Sequence, residues 1–166
     1  MSKLISNTSP IIALSMIDKL NLLWDLFDKV YISIAVYNEI ISNELENAYG
    51  KKEILNAIQS EKIIPYNIKD ELLVNKMHGK LHKGELETIV GGIELNVDFV
   101  LIDEKPARNI AKTFFLTPIG TIGILRIAKR KGKITQIKPL IDLLMSKGFR
   151  ISKNIYNQVL KLEKEN

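Results

Sequence analysis

The chain has no cysteine. Disulfides and thiolate metal centres are therefore excluded, and a metal would have to be held by oxygen or imidazole. Histidine is scarce, with two among 166 residues. Five prolines and nine glycines are too few for a low-complexity chain. No apolar run approaches the roughly 18–20 residues of a membrane helix. The longest are broken by Pro10, Asp18, Asp25 and Asp28. The opening Met-Ser-Lys-Leu-Ile-Ser-Asn lacks a basic segment followed by a cleavage site, so a cytoplasmic protein without a membrane partner is expected. There is neither a Gly-x-Gly-x-x-Gly nor a Walker loop, which argues against a nucleotide-dependent Rossmann enzyme.

What is present suits one folded domain over residues 1–166, with 46% hydrophobic and 26% charged residues. The net charge of +5 conceals an asymmetry. Residues 1–104 sum to −6, residues 105–153 to +11, and the tail 154–166 to zero. A basic half of this kind predicts a polyanion partner, with Arg108, Arg126, Lys129, Arg130 and Lys133 as nucleic-acid contacts. No aromatic residue interleaves with the run Lys129–Lys133, so base stacking is not expected there.

Short apolar strands alternate with helical periodicity along the chain. Strands are predicted at Leu4-Ile5-Ser6, Val30-Tyr31-Ile32, Ile63-Ile64 (stopped by Pro65), Phe99–Ile102 and Thr117-Pro118-Ile119. Thr8 or Ser9 is expected to cap a helix with Pro10 at its first position, and Ser33 to cap another through Ile41. Further helices are predicted over 20–27, 52–59, 69–77, 104–113 and 122–131, with Gly132 closing the last. The helix after Gly84 carries an apolar stripe of Leu86, Ile89, Val90 and Ile93. Two final helices, at 137–145 and 155–162, form a C-terminal extension over about 136–163. The alternation predicts a three-layer α/β/α sandwich around a mainly parallel sheet.

In such a sheet, functional side chains gather beyond the carboxyl ends of the strands. Asn7, Asp103, Glu104 and Thr121 fall at those points, with Glu39 and Glu85 in the helices that follow. Carboxylates brought together repel unless a cation offsets them, and with oxygen ligands only that cation is Mg²⁺ or Mn²⁺. Glu87 lies about 200° from Glu85 around a helix and is read as a surface residue. His78 and His82 are four apart with Glu85 three further on, a zinc-like spacing that Gly79 interrupts. Trp24, Phe27 and Tyr31 are read as core.

These positions carry a resemblance. Ser6-Asn7-Thr8-Ser9-Pro10-Ile11-Ile12 is similar to the opening strand motif of PIN-domain proteins, with Asn7 in place of the first metal-binding Asp. Ala35-Val36-Tyr37-Asn38-Glu39-Ile40 resembles the second motif. Gly84-Glu85-Leu86-Glu87 and Leu101-Ile102-Asp103-Glu104 resemble the third and fourth. The Ser-Asn-Thr-Ser-Pro start, Ala107-Arg108 and Gly120-Thr121-Ile122-Gly123 point to an uncharacterised prokaryotic branch.

The resemblance implies a metal-dependent endoribonuclease of the kind found as VapC-type toxins of toxin–antitoxin pairs. Its ligands to Mg²⁺ or Mn²⁺ would be Asn7, Glu39, Glu85 and Asp103, with Glu104 an alternative to Asp103 and Thr121 orienting a water or phosphate oxygen. RNA, a cognate antitoxin and a second copy of the chain are the implied partners. Asn7 departs from the pattern, because an amide coordinates through oxygen without contributing charge. The alternative is a PIN-like domain that binds RNA or a protein without cutting.

Overall fold

The computed structural model describes residues 1–43 and 48–166. Its strands are β1 (Lys3–Ser6), β2 (Lys29–Ser33), β3 (Ile64–Tyr66), β4 (Phe99–Leu101) and β5 (Pro118–Ile119). Ten helices occur among the described residues. They are α1 (Thr8–Met16), α2 (Leu22–Leu26), α3 (Ile34–Ile41), α4 (Lys51–Gln59) and α5 (Glu71–Met77), followed by α6 (Lys83–Leu95), α7 (Lys105–Thr113), α8 (Thr121–Arg130), α9 (Lys138–Ser146) and α10 (Lys153–Leu162).

The strands form one sheet in the order β3-β2-β1-β4-β5, and every neighbouring pair is parallel. Strand alternation sends successive side chains to opposite faces. On β1, Leu4 joins the apolar layer that holds Ile11, Val36, Ile124 and Leu144, while Ile5 joins the layer of Leu86, Ile89, Val90 and Ala107. On β4, Leu101 faces the first layer and Val100 the second, where Ile102, just past the strand, joins it. The sheet is thus covered on both faces, which is the α/β/α sandwich the sequence predicts.

Both edge strands contain a proline. Pro118 was anticipated there, but Pro65 does not stop β3; it lies inside it, paired with Ile32. An edge strand tolerates proline because one side of its ladder is unused. The first helix also differs from expectation: Asn7 is its N-cap, so Pro10 occupies the third position. Proline is still tolerated there, since amides of the first turn have no intrahelical partner. Ser33 caps α3 as expected, its Oγ accepting from the Val36 amide at 3.1 Å. Phe27 is buried, and Trp24 and Tyr31 pack partly buried against the two apolar layers. Ile93 leaves its predicted stripe and is exposed.

The C-terminal helices are tied to α8 by charge. Arg126 Nε lies 2.7 Å and Arg130 Nη2 3.4 Å from Glu163 Oε1, and Lys129 Nζ lies 2.6 Å from Glu165 Oε2. Glu165 also accepts from the Ile137 and Lys138 amides at 2.9 Å, at the start of α9. Burial works to raise the Glu165 carboxyl, but these bonds outweigh it and hold the group below its ordinary value of 4.5. A depressed folded-state pKa supplies stability above the unfolded value and loses it as pH falls through the folded one. Glu165→Gln is therefore expected to lose ~1.5–3 kcal/mol of unfolding free energy at neutral pH. The difference from wild type should shrink below pH 4.5. Urea melts at both pH values check it; a constant difference would remove the ion pair from the explanation.

Candidate metal and nucleic-acid site

The sheet reverses its direction of growth between β1 and β4, so a crevice opens beyond their carboxyl ends. The residues that follow these two strands meet there. The Asn7 amide donates to the Leu101 carbonyl at 2.9 Å, joining the end of β1 to the end of β4. The first turn of α1 then presents two hydroxyls outward. Thr8 Oγ1 donates to Glu39 Oε2 at 2.7 Å, and Ser9 Oγ donates to Glu104 Oε1 at 3.2 Å. Thr8 and Ser9 thus hold carboxylates rather than cap the helix. Their role was hinted at by three consecutive polar residues, Asn7-Thr8-Ser9, where a cap needs only one.

Glu85 enters from the N-terminus of α6. His82 is the N-cap, and its backbone N–H donates to the Glu85 carboxylate. Burial pushes the Glu85 carboxyl above its ordinary value, opposed by that hydrogen bond, and the charges of Glu104 and Glu39 push it further up. Glu39 reaches the same helix end because residue 84 is glycine. A Cβ there would collide with Glu39 Oε1 and stand 3.0 Å from its Cδ. Asn7, Glu39, Glu85 and Glu104 together line a cavity of about 670 Å³, with Lys80, His82 and Lys83 also on its wall.

Asp103 and Thr121 are not brought into this cavity. Asp103 turns the other way, and both its oxygens are engaged by one residue. Oδ1 accepts from the Thr121 amide and Oδ2 from Thr121 Oγ1, each at 2.7 Å. The N-cap of α8 is Gly120, which has no side chain to cap with, so Asp103 supplies the cap from across the sheet edge. Gly120 also leaves room for these side chains, because a Cβ would stand 2.9 Å from both Asp103 Oδ1 and Arg108 Nη1 and they would have to shift. Burial raises the Asp103 carboxyl; the Thr121 bonds oppose this without cancelling it, and the Glu104 charge adds to the rise. Of the two adjacent acids, Glu104 is the one facing the cavity.

The remaining expectations resolve by contacts. Glu87 is not a surface residue: it is buried, and its Oε1 accepts from the Ala35 amide at 3.1 Å, inside the first turn of α3. His78 ends α5 and His82 caps α6, so the two do not share a helix face. Arg126, Lys129 and Arg130 are paired with Glu163 and Glu165 instead of standing free, as described above. Lys133 lines a separate cavity beside Lys19 and Pro139. Arg108 Nη1 donates to the Ile102 carbonyl at 3.1 Å.

A family model described as a PIN domain matches residues 3–165. The chain belongs to the PIN-domain family. No curated protein matches it. PIN domains have a nuclease-type fold, generally use divalent metals and commonly bind RNA. In this PIN domain the chemistry of the donors lining the cavity fits a hard divalent cation, all four being oxygen ligands. Their spacing does not enclose one: among the described residues, no three acidic or imidazole side chains are gathered closely enough to hold an ion. No helix among the described residues of this PIN domain is long and apolar enough to cross a membrane.

Proposed function

We propose that this PIN domain is a metal-dependent endoribonuclease that hydrolyses RNA phosphodiesters, with Asn7, Glu39, Glu85 and Glu104 as the residues that would hold Mg²⁺ or Mn²⁺. One observation carries the reading. Three carboxylates from three separate stretches of chain line one cavity with Asn7, at the point where the sheet reverses direction. Such an arrangement is electrostatically costly without a counter-charge. When bound, a divalent cation supplies a Lewis acid that lowers the pKa of water and stabilises charge on a phosphate. The chain's own part is positional. Thr8 and Ser9 fix Glu39 and Glu104, Gly84 admits Glu39 to the end of α6, and Lys80 and Lys83 offer charge to an approaching phosphate. The resemblance assigns the fourth acidic position to Asp103; the lining of the cavity favours Glu104.

The test is Glu85→Gln, measured by Mn²⁺ titration calorimetry and by cleavage of a labelled structured RNA. Wild type is expected to bind Mn²⁺ and cut, and the variant to lose both while staying folded. Without cation, the variant should melt higher than wild type at neutral pH. Folded Glu85 binds its proton more tightly than the unfolded chain does, so its contribution to stability falls as pH rises through the carboxylate range. The variant's advantage is accordingly present at neutral pH and absent below the ordinary value of 4.5. As the toxin of a pair, the protein should arrest growth when induced, and Glu85→Gln should relieve the arrest.

A second reading, a PIN domain that binds RNA or a protein partner without cutting, is favoured by the uncharged Asn7 and the ungathered carboxylates. It expects no Mn²⁺ uptake and no cleavage by wild type.

A further inference from the structure

A second cavity, of about 550 Å³, lies on the other side of the segment 103–106. Side chains alternate across this segment: Glu104 and Pro106 line the carboxylate cavity, while Asp103 and Lys105 line the second. The two cavities have opposite electrostatic character. Lys105, Arg108, Arg126 and Arg150 all line the second one, and Asp103, the sole carboxylate on its wall, is fully engaged by Thr121. Arg126 is offset by Glu163, and Arg108 is bonded to a carbonyl. Lys105 and Arg150 are exposed and have no acidic partner among the described residues.

The rest of the wall is apolar. Ile122, Phe149 and Ile155 contribute to it, and Ile155 is 49% exposed. A cationic rim over an apolar wall with one aromatic ring matches the two halves of a nucleotide. Phosphate is attracted by unpaired cations, and a base gains by packing on an aromatic face. Phe149 and Lys105 are far apart in sequence, so the run of basic residues alone shows no aromatic partner.

We propose that this cavity is a nucleotide-binding subsite that holds one unit of a single-stranded RNA beside the carboxylate cavity, its phosphate on Lys105 and Arg150 and its base against Phe149. The proposal rests on the nuclease reading for the identity of the polymer. It also adds free cations to that reading, because Lys80 and Lys83 share the carboxylate cavity with three acids and the 126–130 cluster is largely paired with the C-terminal acids.

The experiment is fluorescence anisotropy of a labelled hexauridylate in EDTA, against wild type, K105Q/R150Q and, as comparator, K52Q/K76Q. The four lysine and arginine side chains are exposed, so the variants fold. The subsite is supported if K105Q/R150Q weakens binding at least tenfold and flattens the salt dependence by roughly 1.4 (about 0.7 per lost contact), while K52Q/K76Q binds as wild type does. Unchanged affinity in K105Q/R150Q overturns the subsite and leaves the nuclease reading intact if wild type still cuts. Binding that depends on Lys105 and Arg150 in a protein that never cuts keeps the subsite and removes the nuclease reading. No hexauridylate binding by wild type, or hexaglutamate binding in its place, overturns the subsite; the peptide result would make the cavity a dock for an acidic protein segment.

Discussion

Asn7→Asp will tighten Mn²⁺ binding if the carboxylate cavity is a cation site, by about 1–3 kcal/mol for one added charge at an effective dielectric near 20. That corresponds to roughly 5- to 150-fold in Kd. The position suits the test because Asn7 is buried, lines the cavity and holds its backbone through Leu101, so the substitution changes charge with little change in shape. RNA cleavage should rise with cation affinity. In the absence of cation the same variant should melt lower than wild type, because a further carboxylate joins Glu39, Glu85 and Glu104 without compensation. Added Mn²⁺ should then restore more than the lost stability, through mass action on the folded state. A lower melting temperature with no recovery on adding Mn²⁺, and no cleavage, would remove the nuclease reading and leave the binding domain.

The second expected result separates two adjacent acids. Asp103→Ala should destabilise the fold by about 2–3 kcal/mol, since it strips the buried Thr121 amide and hydroxyl of their acceptor. Asp103→Asn should lose less, because a Thr121 hydroxyl can rotate to accept from the new amide and no charge remains to be buried. Glu104→Gln should leave unfolding within about 0.5 kcal/mol of wild type, as an exposed side chain does. It should nevertheless weaken Mn²⁺ binding by about the same 1–3 kcal/mol that Asn7→Asp adds. Chemical melts and Mn²⁺ titrations of the three variants decide the assignment. Should Asp103→Asn abolish binding while Glu104→Gln keeps it, the ligand is Asp103, and its bonds to Thr121 must break when the cation enters.

Local order was determined by the sequence alone. The apolar runs Leu4-Ile5, Val30-Tyr31-Ile32 and Phe99–Ile102, which give β1, β2 and β4, are short, each holds a β-branched residue, and each is bounded by polar residues. Those features depend on a few neighbouring residues, so a linear reading reaches them. The polar residues at strand ends were legible for the same reason: parallel order places every strand's carboxyl end on one side of the sheet.

Which polar residues share a cavity was decided only by tertiary structure. Asp103 and Glu104 are interchangeable on paper, yet one step along the backbone sends them to opposite sides of the 103–106 segment. Glu87 is distant from Ala35 in sequence and meets it only because α6 lies against the start of α3. The pairing of the basic run is hidden from the sequence for a related reason. Charge counting treated the tail as neutral, whereas the fold spends its Glu163 and Glu165 on Arg126, Lys129 and Arg130 and leaves Lys105 and Arg150 unpaired. A net charge sums over the chain, but the field a ligand meets depends on which charges the fold has paired, and pairing over more than thirty residues is invisible to any local pattern.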